Sequence, residues 1–128
     1  MKTLGYYNGH YDELDRMTVP MNDRACSFGD GVYDSAYARN GIVYSLHEHI
    51  DRIFRSCALL GITPPCSKEK MTEIINEMVI KVDAKETFVY WQVTRGTTPR
   101  SHAYTQDLTS NLWIIIREMS IRETYRPI

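Results

Sequence analysis

At 128 residues, 43% hydrophobic and 24% charged, the chain has material for one core and not for two. Its 15 basic residues against 16 acidic ones leave a formal charge of −1, which argues against nucleic acid as a partner, because phosphate binding draws on a clustered basic excess. The longest apolar stretch, 112–116, is strand-sized and far short of a membrane span, and residues 1–7 hold no apolar signal-peptide core.

Two turn signals come first. Asn8-Gly9 separates the short runs 4–7 and 10–14, and Asn40-Gly41 separates 32–39 from 42–45. Asn-Gly tolerates the positive φ angles of a type I′ turn, so both sites predict β-hairpins. Ser45 and Glu48 are spaced as a capping box opening a helix. Ile50, Ile53, Phe54, Cys57 and Ala58 then recur at helical spacing, up to Gly61 at the expected C-terminal cap. Ser67 is placed to cap a second helix, with Met71, Ile74, Ile75, Met78, Val79 and Val82 on one face. Segment 87–94 alternates Val89, Trp91 and Val93 against Phe88, Tyr90 and Gln92, and 112–117 is a continuous apolar run; both predict strands.

The order ββββααββ, with local hairpins, predicts an α+β two-layer sandwich: a mostly antiparallel sheet with two helices on one face. Residues 1–117 form that domain, and the charged, weakly periodic segment 118–128 reads as the start of an interdomain linker. Two helices cover only one sheet face, so apolar surface on the other, with Tyr37, Trp91 and Trp113 as candidates, is expected to drive self-association.

Four places offer chemistry. Phe28-Gly29-Asp30-Gly31 precedes a strand rather than a helix, so it suits a turn better than a phosphate-binding loop. Tyr33 and Tyr37 share a face of that strand, either as a ligand floor or as amphipathic cover. His47 and His49 stand about 200° apart around a helix, too far to chelate one metal, so no metal site is expected. His49, Arg52 and Ser56 line up beside the apolar stripe, where an Arg either faces a phosphate or snorkels past the core. In 94–102, Arg100 and His102 with several hydroxyls suit an anion, or simply a solvated loop; an extended backbone points both side chains one way. Cys57 reads as a small core residue, while Cys26 and Cys66 fall in expected loops with no chemistry assigned. An odd cysteine count without C-x-x-C spacing indicates neither a disulfide framework nor a zinc site, so a reduced, cytoplasmic protein is expected.

Taken in order, "DRACSFGDGVYD", "NGIVYSLHEHIDRIFRSCALLGI" and "YWQVTRGTTPRSHAY" resemble the N-terminal half of the fold-type-IV pyridoxal-phosphate aminotransferases. The first two blocks resemble the whole class, including branched-chain aminotransferases and aminodeoxychorismate lyases, which stand as alternatives. The third, with Arg-x-His after Arg-Gly-Thr-x-Pro, resembles the D-amino-acid aminotransferases. The resemblance implies a transaminase acting on D-amino acids and 2-oxo acids, with pyridoxal 5'-phosphate as cofactor and a homodimer as the working form. It implies that Arg52 binds the cofactor phosphate. It also implies that Tyr33, Arg100 and His102 bind the substrate carboxylate, the last two reaching into the neighbouring subunit's site. It places no catalytic residue in this chain: the Schiff-base lysine of the class lies in a second domain, and none of Lys2, Lys68, Lys70, Lys81 and Lys85 matches it. The chain alone is therefore expected to be inactive, as half of an enzyme or as a non-catalytic dimerisation or binding module.

Overall fold

The computed structural model describes residues 2–104 and 108–120. Both Asn-Gly pairs turn as their chemistry demands: φ is 47° and 96° at Asn8 and Gly9, and 52° and 79° at Asn40 and Gly41. They join β1 (Thr3–Tyr7) to β2 (His10–Asp12), and β3 (Gly31–Arg39) to β4 (Ile42–Val43). With β5 (Glu86–Thr94) and β6 (Asn111–Glu118) they form a six-stranded antiparallel sheet of order β2-β1-β6-β5-β3-β4. Glu118, expected to open the linker, is the last residue of β6 and pairs with Thr87; residues 121–128 lie outside the described residues.

Period-two alternation sorts the sheet into two faces. Ala36, Ala38, Val89, Trp91, Val93, Leu112, Ile114 and Ile116 point into the core, against α2 (Leu46–Leu60) and α3 (Lys68–Val82). The expected two-layer α+β architecture is what forms. The stripe on α3 is buried at every expected position, and each fully buried Ile or Met contributes about 1.5–3 kcal/mol. On α2, Ile50, Ile53 and Cys57 are buried, Phe54 is half-buried, and Ala58 is exposed because it stands about 110° around the axis from the stripe through Leu46, Ile50, Ile53 and Cys57. Gly61 takes the left-handed conformation at the end of α2, and Ser67 Oγ accepts from the Lys70 N–H at the start of α3.

Two expectations are corrected here. Ser45 makes no capping hydrogen bond through its side chain: it is itself left-handed, with φ of 53°. The chain must reverse from β4 into α2 within two residues, and that reversal takes the Ser45 backbone out of the extended conformation an N-cap hydroxyl needs. Trp91 is wholly buried, not exposed on the open face, because its odd position on β5 shares the core side with Val89 and Val93. The open face carries Tyr33, Tyr37, Phe88, Tyr90 and Trp113 instead, with ring pairs Tyr33–Tyr90, Tyr37–Phe88 and Tyr7–Trp113. One end of it is roofed by the segment 14–19, leaving an apolar cavity of about 180 Å³ beside Gly5, Tyr7, Met17 and Trp113.

A short helix that the sequence pattern does not predict, α1 (Arg24–Phe28), precedes β3 and carries the exposed Cys26, expected in a loop. Asp23 caps it by accepting from the Ala25 N–H, and Gly29 ends it with φ of 62°. The Asp23 carboxylate is wholly buried and also accepts from Thr94 Oγ1 at 3.1 Å and Asn111 Nδ2 at 2.9 Å. One side chain thereby ties α1 to the ends of β5 and β6.

Candidate functional site

On β3 the even-numbered residues face the helices, so Asp34 sends a carboxylate into the core side of the sheet. A buried charge requires partners, and α2 supplies them from His49 and Arg52, one helical turn apart. Arg52 Nε and Nη2 donate to Asp34 Oδ2 and Oδ1 at 2.7 and 2.6 Å. His49 Nδ1 lies 2.9 Å from Oδ1, and the Ser35 N–H donates to the same oxygen at 2.8 Å. Burial works against ionisation of Asp34, but the bonds from Arg52, the Ser35 N–H and His49 outweigh it and hold the carboxyl below its ordinary value. The Arg52 side chain remains 59% exposed. It does not snorkel: two of its nitrogens are fixed, while Nη1 has no partner among the described residues. A guanidinium oriented in advance, with its free edge in solvent, fits a phosphate.

A second carboxylate organises the loop after β5. Asp30 Oδ2 accepts from Arg24 Nε at 2.6 Å and from Arg95 Nε at 2.9 Å. Burial again opposes its charge, and the two guanidinium groups reverse the balance and hold its carboxyl low. Arg95 also donates from Nη2 to the Leu60 carbonyl at 2.8 Å, placing a cation at the carbonyl end of α2. Glycine opens β3 directly after Asp30, at Gly31, where a Cβ would stand 2.6 Å from the Val93 carbonyl oxygen. The Gly-Asp-Gly segment is thus a turn into β3, with its carboxylate used internally.

Of the residues singled out by sequence, Arg100 and His102 meet at one ring. The Arg100 guanidinium stands 5.2 Å from the centre of Phe28, and the His102 ring 5.3 Å from it. Tyr33 lies on the open face, 67% exposed and stacked on Tyr90 at 5.5 Å. No hydrogen bond or ring contact among the described residues joins Tyr33 or Arg52 to Arg100 or His102. Tyr33 and the partner of Arg52 are nevertheless consecutive residues, so β3 serves both faces of the sheet from adjacent positions. His47 turns away to Asp51, 3.3 Å distant. Sequence pattern assigned nothing to Asp34, Asp30 or Arg24. The signal for the first was present: a carboxylate at a core-facing position of an alternating strand requires a cation across from it.

A family model described as amino-transferase class IV matches residues 31–127. A D-alanine aminotransferase of Listeria monocytogenes is 39% identical over 108 residues, 84% of this chain and 37% of that relative. The chain therefore spans well under half the length of this curated relative. The branched-chain amino acid aminotransferase of Escherichia coli superposes with a TM-score of 0.82 at 13% identity, covering 91% of this chain and 40% of that one. The branched-chain aminotransferase of the archaeon Thermoproteus uzoniensis, solved with norvaline, gives 0.80 at 17% identity, with 91% and 41% covered. At such identities the likeness shows the fold alone.

Proposed function

This chain belongs to amino-transferase class IV, and from that premise we propose that the protein carrying it moves an amino group between D-amino acids and 2-oxo acids, with pyridoxal 5'-phosphate as cofactor. The observation that carries the reading is Arg52, fixed by a buried carboxylate yet largely exposed, as an anion-binding group held in place should be. Arg52 holds the cofactor phosphate. Its orientation comes from Asp34, so little side-chain freedom is lost on binding. Arg100 and His102 hold the substrate carboxylate through charge-assisted hydrogen bonds, and the Tyr33 hydroxyl adds a third donor. When bound, the cofactor supplies the electron sink of transamination.

The choice of D-amino acids is supported by the 39% identity to a D-alanine aminotransferase and by the Arg-x-His spacing of the loop. The working form is a homodimer in which Arg100 and His102 act in the partner subunit's site. That arrangement accounts for the absence of contact between them and Tyr33 or Arg52 within one chain. Residues 1–118, through the end of β6, serve as the first domain, and the segment after Glu118 begins a linker. A cytoplasmic location is supported by three free thiols. The test compares turnover of D-alanine, L-leucine and aminodeoxychorismate by the full-length protein. D-alanine is expected to be the preferred substrate. An inert D-alanine assay beside active L-leucine or aminodeoxychorismate would move the protein to another branch of the class.

A further inference from the structure

The loop carrying Arg100 and His102 has no secondary structure of its own from Pro99 to Tyr104, yet its two candidate side chains must be held in register to grip a carboxylate. What holds them is α1 and the residues just before it. The Arg24 N–H donates to the Gly96 carbonyl at 2.8 Å, and the Thr98 N–H donates to the Asn22 carbonyl at 3.1 Å. Further along, the Arg24 side chain takes over: Nη1 donates to the Ser101 carbonyl at 2.7 Å, and Nη2 lies 3.4 Å from the His102 carbonyl. Its guanidinium also stacks near Phe28, the ring that Arg100 and His102 share, and near Tyr104.

We propose that Arg24 is a positioning residue for substrate recognition, a buried pedestal that sets the backbone of residues 101 and 102 so that Arg100 and His102 present a carboxylate-binding pair. The inference rests on the proposed role of those two residues. Three features of the geometry support it. Arg24 is 5% exposed, so its charge is held inside for a structural purpose. Only a planar fork can meet Asp30 and the loop carbonyls together; a lysine ammonium reaches one of them well. Lastly, Asp30 serves Arg24 and Arg95 at once, and Arg95 holds the Leu60 carbonyl. The carboxylate-binding loop is thereby coupled to the end of the helix that carries Arg52. Two guanidinium groups on one carboxylate also leave a net positive charge under the loop, which favours an anionic substrate group.

The test uses the full-length protein loaded with pyridoxal 5'-phosphate. Arg24→Lys is expected to raise KM for D-alanine about tenfold or more, with a smaller effect on kcat, because a bond to a charged donor is lost at the loop. Conversion of ethylamine, which is alanine without its carboxylate, is expected to change by less than about twofold, and cofactor retention likewise. Hydrogen exchange at the loop amide of Thr98, which the Asn22 carbonyl holds, is expected to accelerate about tenfold while α2 is unchanged. Equal slowing of D-alanine and ethylamine, or unaltered exchange in the loop, would overturn the proposal. If the parent protein does not convert D-alanine at all, the proposed function fails, while the exchange measurement still decides the pedestal. Asp30→Asn, which conserves volume, is expected to give the same changes in weaker form and serves if Arg24→Lys does not fold.

Discussion

Replacing Asp34 by Asn keeps the shape of the side chain and removes its charge. In the native site the two carboxyl oxygens accept from Arg52 twice, from the Ser35 N–H and near His49 Nδ1, all between 2.6 and 2.9 Å. An amide offers one oxygen for these donors and turns an N–H₂ toward a guanidinium that is itself only a donor. Water replaces part of the loss on the exposed Arg52 side, so the cost falls near the lower end for charge-assisted bonds, about 1–2 kcal/mol at pH 7. For a domain of this size that lowers the melting temperature by about 3–8 °C. The dependence on pH separates charge from packing. The native Asp34 carboxyl is held below its ordinary value of 3.8, so the stabilisation is complete above that value and is lost as pH falls through the lower, native one. Melting curves from pH 7 down to pH 2 should therefore converge for parent and variant at the acid end. A gap of the same size at both ends would mean that packing, not the ion pair, carries the contribution of Asp34.

Arg52→Ala should lower cofactor retention about ten- to hundredfold after gel filtration, whereas Arg100→Ala and His102→Ala should leave retention near the parent value and instead raise KM for D-alanine. Equal loss of retention in all three variants would refute the division between phosphate and carboxylate residues. Gly31→Ala should destabilise by about 2–4 kcal/mol, because the backbone carbonyl that its Cβ would meet belongs to paired β5 and cannot move aside; denaturant unfolding measures this. Burial pushes the Cys57 thiol up to about 11, so thiol labelling of the native protein at pH 8 should modify the exposed Cys26 and spare Cys57 until the protein is unfolded.

Elements governed by local chemistry are legible in the amino-acid sequence alone. Asn-Gly pairs turn through positive φ wherever they stand, the Ser67 and Gly61 caps depend on their own helices, and the stripe on α3 has no alternative face to bury. Arg52, Tyr33, Arg100 and His102 could be singled out because their motifs are contiguous in sequence. Ser45 shows where local chemistry stops: its spacing to Glu48 is that of a capping box, but the tight reversal from β4 decided its backbone angle. Trp91 shows the same limit, since alternation says which residues of β5 share a face and not which face the helices cover. The charge networks were further out of reach. Asp34 and Arg52 are 18 residues apart, Asp30 and Arg95 are 65, and Arg24 and Ser101 are 77. No periodicity links residues at such separations. Only the antiparallel pairing of β3 with β5, and the packing of α2 across them, brings each carboxylate to its cations, because a charge buried by that packing must be neutralised by whatever residues the same packing places beside it.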